Sequence, residues 1–193
     1  MLTDYAVEKI LAALGHASPD EHWIEALNDG THVLIRPLHE QDRQLEFGFI
    51  NQLSAESFRT RFFGAIGQEN VPLLDQMMDV DYRNRMAYIA MVHENGHLSA
   101  VGISRYAVTA DGRQCECAVV VADHWQRQGM GTLLMEHLIV AARRNGFNKM
   151  MSIHQTNNFG MHRLARSLGF HSRYPSTGDN EIIHELDLTP AFG

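Results

Sequence analysis

One stretch of this chain leaves few options for how it folds. The apolar run Ala118-Val119-Val120-Val121-Ala122 is followed by Gln126-Arg127-Gln128-Gly129-Met130-Gly131-Thr132, and then by Leu133, Leu134, Leu138, Ile139 and Ala142 at helical spacing. A near-continuous apolar run of this length reads as a strand covered on both faces. Strand, glycine-rich turn and helix in that order make an anion site for a physical reason. The first N–H groups of a helix have no intrahelical partners and point outward at the positive end of its dipole. Glycine removes the side chain that would keep an anion away from them. Main-chain amides of about residues 127 to 132 could thus cradle a pyrophosphate; the alternative is that the glycines only shape a strand-to-helix connection. Two other phosphate loops do not match: no lysine follows Gly131 as in GxxxxGK[ST], and GxGxxG would need a third glycine.

The rest of the composition narrows the class. A chain of 193 residues, 45% hydrophobic and 20% charged, suits one domain with a substantial core. A formal net charge of −7 argues against a nucleic-acid partner and is compatible with attracting a cationic amine. There is no apolar run long enough to span a membrane, and Met1-Leu2-Thr3-Asp4-Tyr5 lacks the basic start of a secretory signal. The expectation is a cytoplasmic protein with no membrane partner. The two cysteines, Cys115 and Cys117, would share one strand face, which is poor geometry for a disulfide; they read as core thiols in a reducing compartment. Twelve histidines are scattered without HExxH or other paired ligand spacing, so no metal is expected.

Along the chain, residues 1 to 30 read as a helical extension and residues 31 to 190 as the main domain. Val7, Ile10, Leu11 and Leu14 recur at helical spacing. Ser18-Pro19-Asp20-Glu21 then offers an N-cap, a proline at the first helical position and a capping-box acid, with Asn28-Asp29-Gly30 ending that second helix. The extension is a candidate for packing on the domain or for a homodimer contact. Residues 31 to 38 read as a strand. Helical pieces follow to about Leu53, from a cap at Ser54 through Phe62-Phe63 to Gly64, and near Pro72. Two strands, at 86 to 93 and 98 to 108, are joined by Glu94-Asn95-Gly96, a hairpin signal. After the strand at 115 to 122 and its helix come a strand at 147 to 154, a helix at 158 to 168, and closing strands at 170 to 174 and 182 to 188.

The spacing QxxGxG after an apolar strand resembles the acyl-CoA signature of the GNAT superfamily of N-acetyltransferases. Asn158 lies ahead of Gly169-Phe170 as in that superfamily's second CoA-side helix, and the order of elements agrees over roughly residues 32 to 189. Within it the chain is similar to bacterial Pat-type protein lysine acetyltransferases in Leu53-Ser54-Ala55-Glu56-Ser57, Arg61-Phe62-Phe63-Gly64, Asp81-Tyr82 and the segment Cys115-Glu116-Cys117-Ala118. The resemblance implies a mixed α/β (α+β) fold: a mostly antiparallel sheet of about seven strands with one splayed parallel pair for acyl-CoA, and helices on both faces. It implies acetyl-CoA as co-substrate and an amine, protein lysine or small molecule, as acceptor. Main-chain contacts from Val119, Val120 and Val121 would hold the pantetheine arm, and Gln126, Arg127, Gln128, Gly129, Met130, Gly131 and Thr132 the pyrophosphate. Asn158 would bond the pantetheine or cap its own helix, and Arg163 would reach a phosphate or stay solvated.

Residue chemistry supplies the reaction. A lysine-like amine of pKa about 10.4 is mostly protonated at pH 7, and freeing its lone pair costs about 4.6 kcal/mol. A positioned carboxylate can take that proton during attack. Glu116 is the acid inside the fourth expected strand, on the face of Ala118 and Val120, and the resembling family uses a glutamate there as general base. The alternative is an exposed strand end or a pairing with Arg105. Asp123 and His124 are weaker acid-base candidates that a solvated turn also explains. The tyrosine that many relatives use as general acid falls at Ala165 here, so none is assigned. Oxyanion stabilisation would come from an amide at residues 119 to 121. Two alternatives remain at this level: a small-molecule amine acetyltransferase, and a catalytically silent acyl-CoA sensor.

Overall fold

The strand pattern at the centre of the chain sets the architecture. Met86, Tyr88 and Ala90 alternate with Ala87, Ile89 and Met91, and all six are buried, so this strand must be covered on both faces. The computed structural model describes residues 17–62, 71–94, 96–175 and 180–189. In chain order its elements are β1 (Trp23–Ala26), β2 (His32–Pro37), α1 (Arg43–Gln52), α2 (Ala55–Phe62), α3 (Val71–Met78), β3 (Arg85–Glu94), β4 (His97–Val108), β5 (Gln114–Val121), α4 (Met130–Arg144), β6 (Lys149–Gln155), α5 (Phe159–Ser167), β7 (His171–Arg173) and β8 (Glu181–Asp187). Short 3-10 turns precede α1 and follow β5.

The strands form one sheet in the order β1-β2-β3-β4-β5-β6-β8-β7, eight among the described residues where about seven were expected. Neighbours are antiparallel except β5 and β6. One face is covered by α4, whose Met130, Leu134, Met135, Leu138, Ala141 and Ala142 are buried. The other is covered by Leu38, Phe49 and Leu53 around α1, against Ala87, Ile89, Met91 and Ile103. Helix α4 ends in a Schellman motif: Gly146 takes φ +85°, its N–H reaches Arg143 O at 3.0 Å, and Phe147 N–H reaches Ala142 O at 3.1 Å.

The expected second helix of the N-terminal extension is not there. The Ser18-Pro19-Asp20-Glu21 cap signal makes only a turn, and residues 23 to 26 run as β1 along β2, with Trp23 opposite Ile35 and Ala26 opposite His32. The alternation has period two: Ile24 is 71% exposed, while Trp23 stacks on His137 at 4.1 Å and meets Tyr88 edge-on at 5.6 Å. Pairing with an open sheet edge satisfies a row of backbone groups and half-buries an indole, which outweighs a local capping signal. Asn28-Asp29-Gly30 is consequently a hairpin turn, with Leu27 N–H donating to Thr31 O at 2.8 Å. The helix expected around Val7 to Leu14 lies outside the described residues, as do Phe63 and Gly64.

Candidate active site

The parallel pair is short. Gln114, Cys115 and Glu116 face Lys149, Met150 and Met151, and there the pairing stops. β5 continues along β4 as far as Val121 opposite Gly102, whereas β6 follows β8 to Gln155. The two strands thus open into a fork whose last shared rung carries Glu116. The parity of main-chain groups along the open arm follows from one bond: Ala122 N–H donates to Val101 O at 2.8 Å. Groups of Ala122, Val120 and Ala118 therefore face β4, and those of Val121 and Val119 face the edge that β6 has left. Val119 and Val121 present backbone to the fork, and Val120 reaches the cleft by its side-chain face.

The cleft in the fork measures about 1230 Å³ and runs past Glu116, Val119, Arg127, Gly131 and Asn158. That exceeds the roughly 300–1,000 Å³ of ordinary small-molecule pockets and suits a long ligand. Where the cleft meets the start of α4, the loop turns through two left-handed residues, Arg127 at φ +62° and Gly129 at φ +94°. Gly129 is the N-cap of α4 with no side-chain bond, and its carbonyl accepts from Thr132 and Leu133 N–H at 3.0 and 3.1 Å. The amides ahead of these lack intrahelical partners, as the start of any helix does. A Cβ on Gly131 would stand 3.3 Å from Leu164 Cδ2, so glycine lets α4 and α5 converge at the cleft. Gln128 and Met130 have only main-chain groups to offer. Met130 is 1% exposed in the core, and Gln128 donates its amide to His124 O at 3.1 Å.

At the other helix, Asn158 Oδ1 accepts from Met161 N–H at 3.1 Å, capping α5 while lining the cleft. Arg163 and Thr132 also line it. Glu116 is exposed there and has no hydrogen-bond or ion-pair partner among the described residues. Arg105, the alternative partner, is engaged elsewhere: Nη1 donates to Met77 O at 2.9 Å and Nη2 pairs with the buried Glu46 carboxylate. Cys115 and Cys117 point to the α4 face and are buried and free; burial pushes the Cys115 thiol up to about 12 and Cys117 higher still. Neither is a ready nucleophile. Ala165 is fully buried, and among the described residues no tyrosine lines the cleft. Met150 and Met161 are core residues.

Asp123 is placed differently from a solvated turn residue. It accepts from Ser54 N–H at 3.0 Å and from the hydroxyls of Ser54 and Ser57 at 2.8 and 2.7 Å. Burial pushes its carboxyl up, but these bonds outweigh it and hold the group below the usual range. Glu56, Ser57 and Arg59 of α2 form a wall of the cleft. Ser54 is the helix cap that the sequence suggests, receiving Ser57 N–H on its hydroxyl at 3.1 Å, but its bonds to Asp123 have no local signal because the partners lie 66 to 69 residues apart.

Comparison with known proteins meets this geometry. The sequence profile of the Acetyltransferase (GNAT) family matches residues 51–170. The chain belongs to the GNAT acetyltransferase family. It is 49% identical over 168 residues to a Pseudomonas aeruginosa acetyltransferase, covering 87% of this chain and 90% of that one. It is 23% identical over 162 residues to the Acetyltransferase Pat of Mycolicibacterium smegmatis, covering 83% of this chain and 47% of that protein. Among solved structures, the GNAT domain of S. lividans PAT superposes with a TM-score of 0.77 at 24% identity, covering 86% and 96% of the two chains. The splayed parallel pair, the open sheet and the helices on both faces are thus the GNAT fold, and this GNAT chain is an acyltransferase.

Proposed function

We propose that this chain transfers an acetyl group from acetyl-CoA to a primary amine by direct attack in a ternary complex, with Glu116 as general base. The observation that carries the reading is the place of Glu116: the last rung before the fork opens, in the cleft, with no partner among the described residues. A carboxylate left unneutralised beside an apolar strand is suited to accept a proton from an ammonium acceptor. The residues that would hold the co-substrate fit a long anionic thioester: backbone of Val119 and Val121 along the fork, side chains of Arg127 and Thr132, and the amides of residues 127 to 131 at the uncapped start of α4. Bound acetyl-CoA supplies the activated acyl group and a thiolate that leaves readily. The protein's own part is to align the acceptor nitrogen, to take its proton on Glu116, and to offer main-chain donors from the open edge of β5. Ala165 provides no acid for the departing thiolate, so solvent protonates it.

The acceptor we favour is a protein lysine. The likeness to Pat supports this, as does a cleft with acidic Glu56 and Glu116 among its exposed lining groups. Calorimetry with CoA and acetyl-CoA tests the binding half of the reading, and absence of heat on folded protein would sink it. Mass spectrometry of a cell extract incubated with acetyl-CoA tests the acceptor: acetylated lysines in proteins support it, and acetyl label confined to small amines rejects it.

A further inference from the structure

Helix α2 is a wall of the cleft, and its Phe58 packs half-buried against the core on the α1 face of the sheet. Of its described side chains, Ala55, Glu56 and Arg59 are exposed and Ser57 and Phe58 only half-buried. What fixes its start is a polar chain. Ser54 caps the helix, receiving Ser57 N–H on its hydroxyl at 3.1 Å and Phe58 N–H on its carbonyl at 2.9 Å. The Ser54 and Ser57 hydroxyl protons and Ser54 N–H all go to Asp123, in the turn that follows β5. Ser57 Oγ in turn accepts from Gln126 Nε2 at 3.3 Å, and the same amide nitrogen donates to Val121 O at 3.1 Å. An unbroken path of hydrogen bonds therefore runs from the acceptor-side helix, through the first residue of the phosphate loop, to the backbone of β5 inside the fork. Three donors on one carboxylate also keep its charge turned toward α2 and away from the open amides of α4, where it would compete with a diphosphate.

We propose that Ser54, Ser57, Asp123 and Gln126 form a positioning clamp through which filling the phosphate loop orders α2 and so prepares the acceptor wall. The proposal rests on the acyl-CoA reading above and adds to it that the two halves of the cleft are energetically linked: the acceptor meets a set wall once the co-substrate is in place. Because the bonds from Ser54 and Ser57 hold Asp123 below the ordinary carboxylate range, the clamp is charged at neutral pH.

Hydrogen exchange read by mass spectrometry on the full chain, with and without CoA alone, tests the link. In the unmodified protein CoA should slow exchange roughly tenfold both at residues 127 to 132 and in α2. In Ser57→Ala the loop should keep its protection while the CoA-dependent change in α2 falls below about twofold; Ser57→Thr, which retains the hydroxyl, should restore it. A residue that merely stiffens the fold would alter α2 exchange equally with and without CoA. Asp123→Asn, which keeps size and loses charge, should reproduce the Ser57→Ala pattern and serves if that variant does not fold. Protection confined to the loop in the unmodified protein, or α2 protection that survives in Ser57→Ala, overturns the clamp and leaves the acyl-CoA reading intact. Absence of protection anywhere on adding CoA overturns the acyl-CoA reading itself, and the clamp with it.

Discussion

The starts of α4 and α5 face the same cleft and are finished in opposite ways. α5 opens on Asn158, whose side chain takes one of its orphan amides. α4 opens on Gly129, which has no side chain and leaves its first amides to whatever enters the cleft. The same backbone geometry is thus closed by a side chain in one place and left open to the cleft in the other. A helix end becomes a binding site when the residue that would normally cap it is withheld.

The largest effect expected from testing this contrast lies where neither helix end should matter. Glu116→Gln should lower kcat by roughly 10²–10⁴-fold, the usual worth of a general base, while CoA affinity by calorimetry stays unchanged. A parallel loss of CoA binding would mean that Glu116 belongs to the binding surface. Next, Gly129→Asn puts a polar side chain over the open start of α4, at φ +94° and with its Cβ 3.2 Å from Asn28 Oδ1. CoA should then bind roughly tenfold more weakly, or about 1.4 kcal/mol, in protein whose Tm is also lowered by the strained φ but which is still folded at the assay temperature. Unchanged affinity would show that the open amides do not hold the ligand. The converse, Asn158→Ala, should cost about 1 kcal/mol of stability in a denaturant titration; a loss of CoA affinity beyond about threefold that Asn158→Asp also shows would assign the side chain to the ligand as well as to the cap.

The smallest effect is in pH. Behind α5, His162 Nδ1 lies 2.9 Å from His184 Nε2, and Ser172 Oγ lies 2.8 Å from His184 Nδ1. Burial, and next the neighbouring His162, hold the His184 imidazole below its ordinary 6.5. A histidine depressed in the folded state binds its proton more readily when unfolded, so stability rises with pH there and is lost as pH falls below about 6.5. Tm measured from pH 7.5 to 5 should decline, and His184→Asn should flatten part of the slope. His137 on α4, depressed by burial against the opposing pull of Glu25, should keep the remainder. An unaltered slope in His184→Asn would remove that imidazole from the account.

How readable each part was depends on how local its cause is. The β5–loop–α4 unit was visible because apolar run, glycines and helical spacing sit within about thirty residues and each reports on its own neighbourhood. The N-terminal strand was not. Ser18-Pro19-Asp20-Glu21 is a sound capping signal, but Trp23 earns its place through β2, Tyr88 and a histidine more than a hundred residues away. Glu116 could be proposed from its position in a strand, yet whether Arg105 would neutralise it turned on Glu46, which no spacing rule connects to either. Asp123 read as a solvated turn residue until Ser54 and Ser57 were found on it.

The order of strands and helices through the main domain and the uncapped helix end could be read from the chain alone, because they follow from backbone propensity, period and the missing Cβ of glycine; the family was legible only through the likeness of its motifs to those of known proteins. The fold as a whole was needed to show that the sheet has an eighth strand among the described residues, that Glu116 has no partner among them at the point where β5 and β6 part, and that Ser54 and Ser57 at the start of α2 bond to Asp123. Each of those depends on which groups compete for one partner across the fold, and competition among distant residues leaves no mark in local pattern.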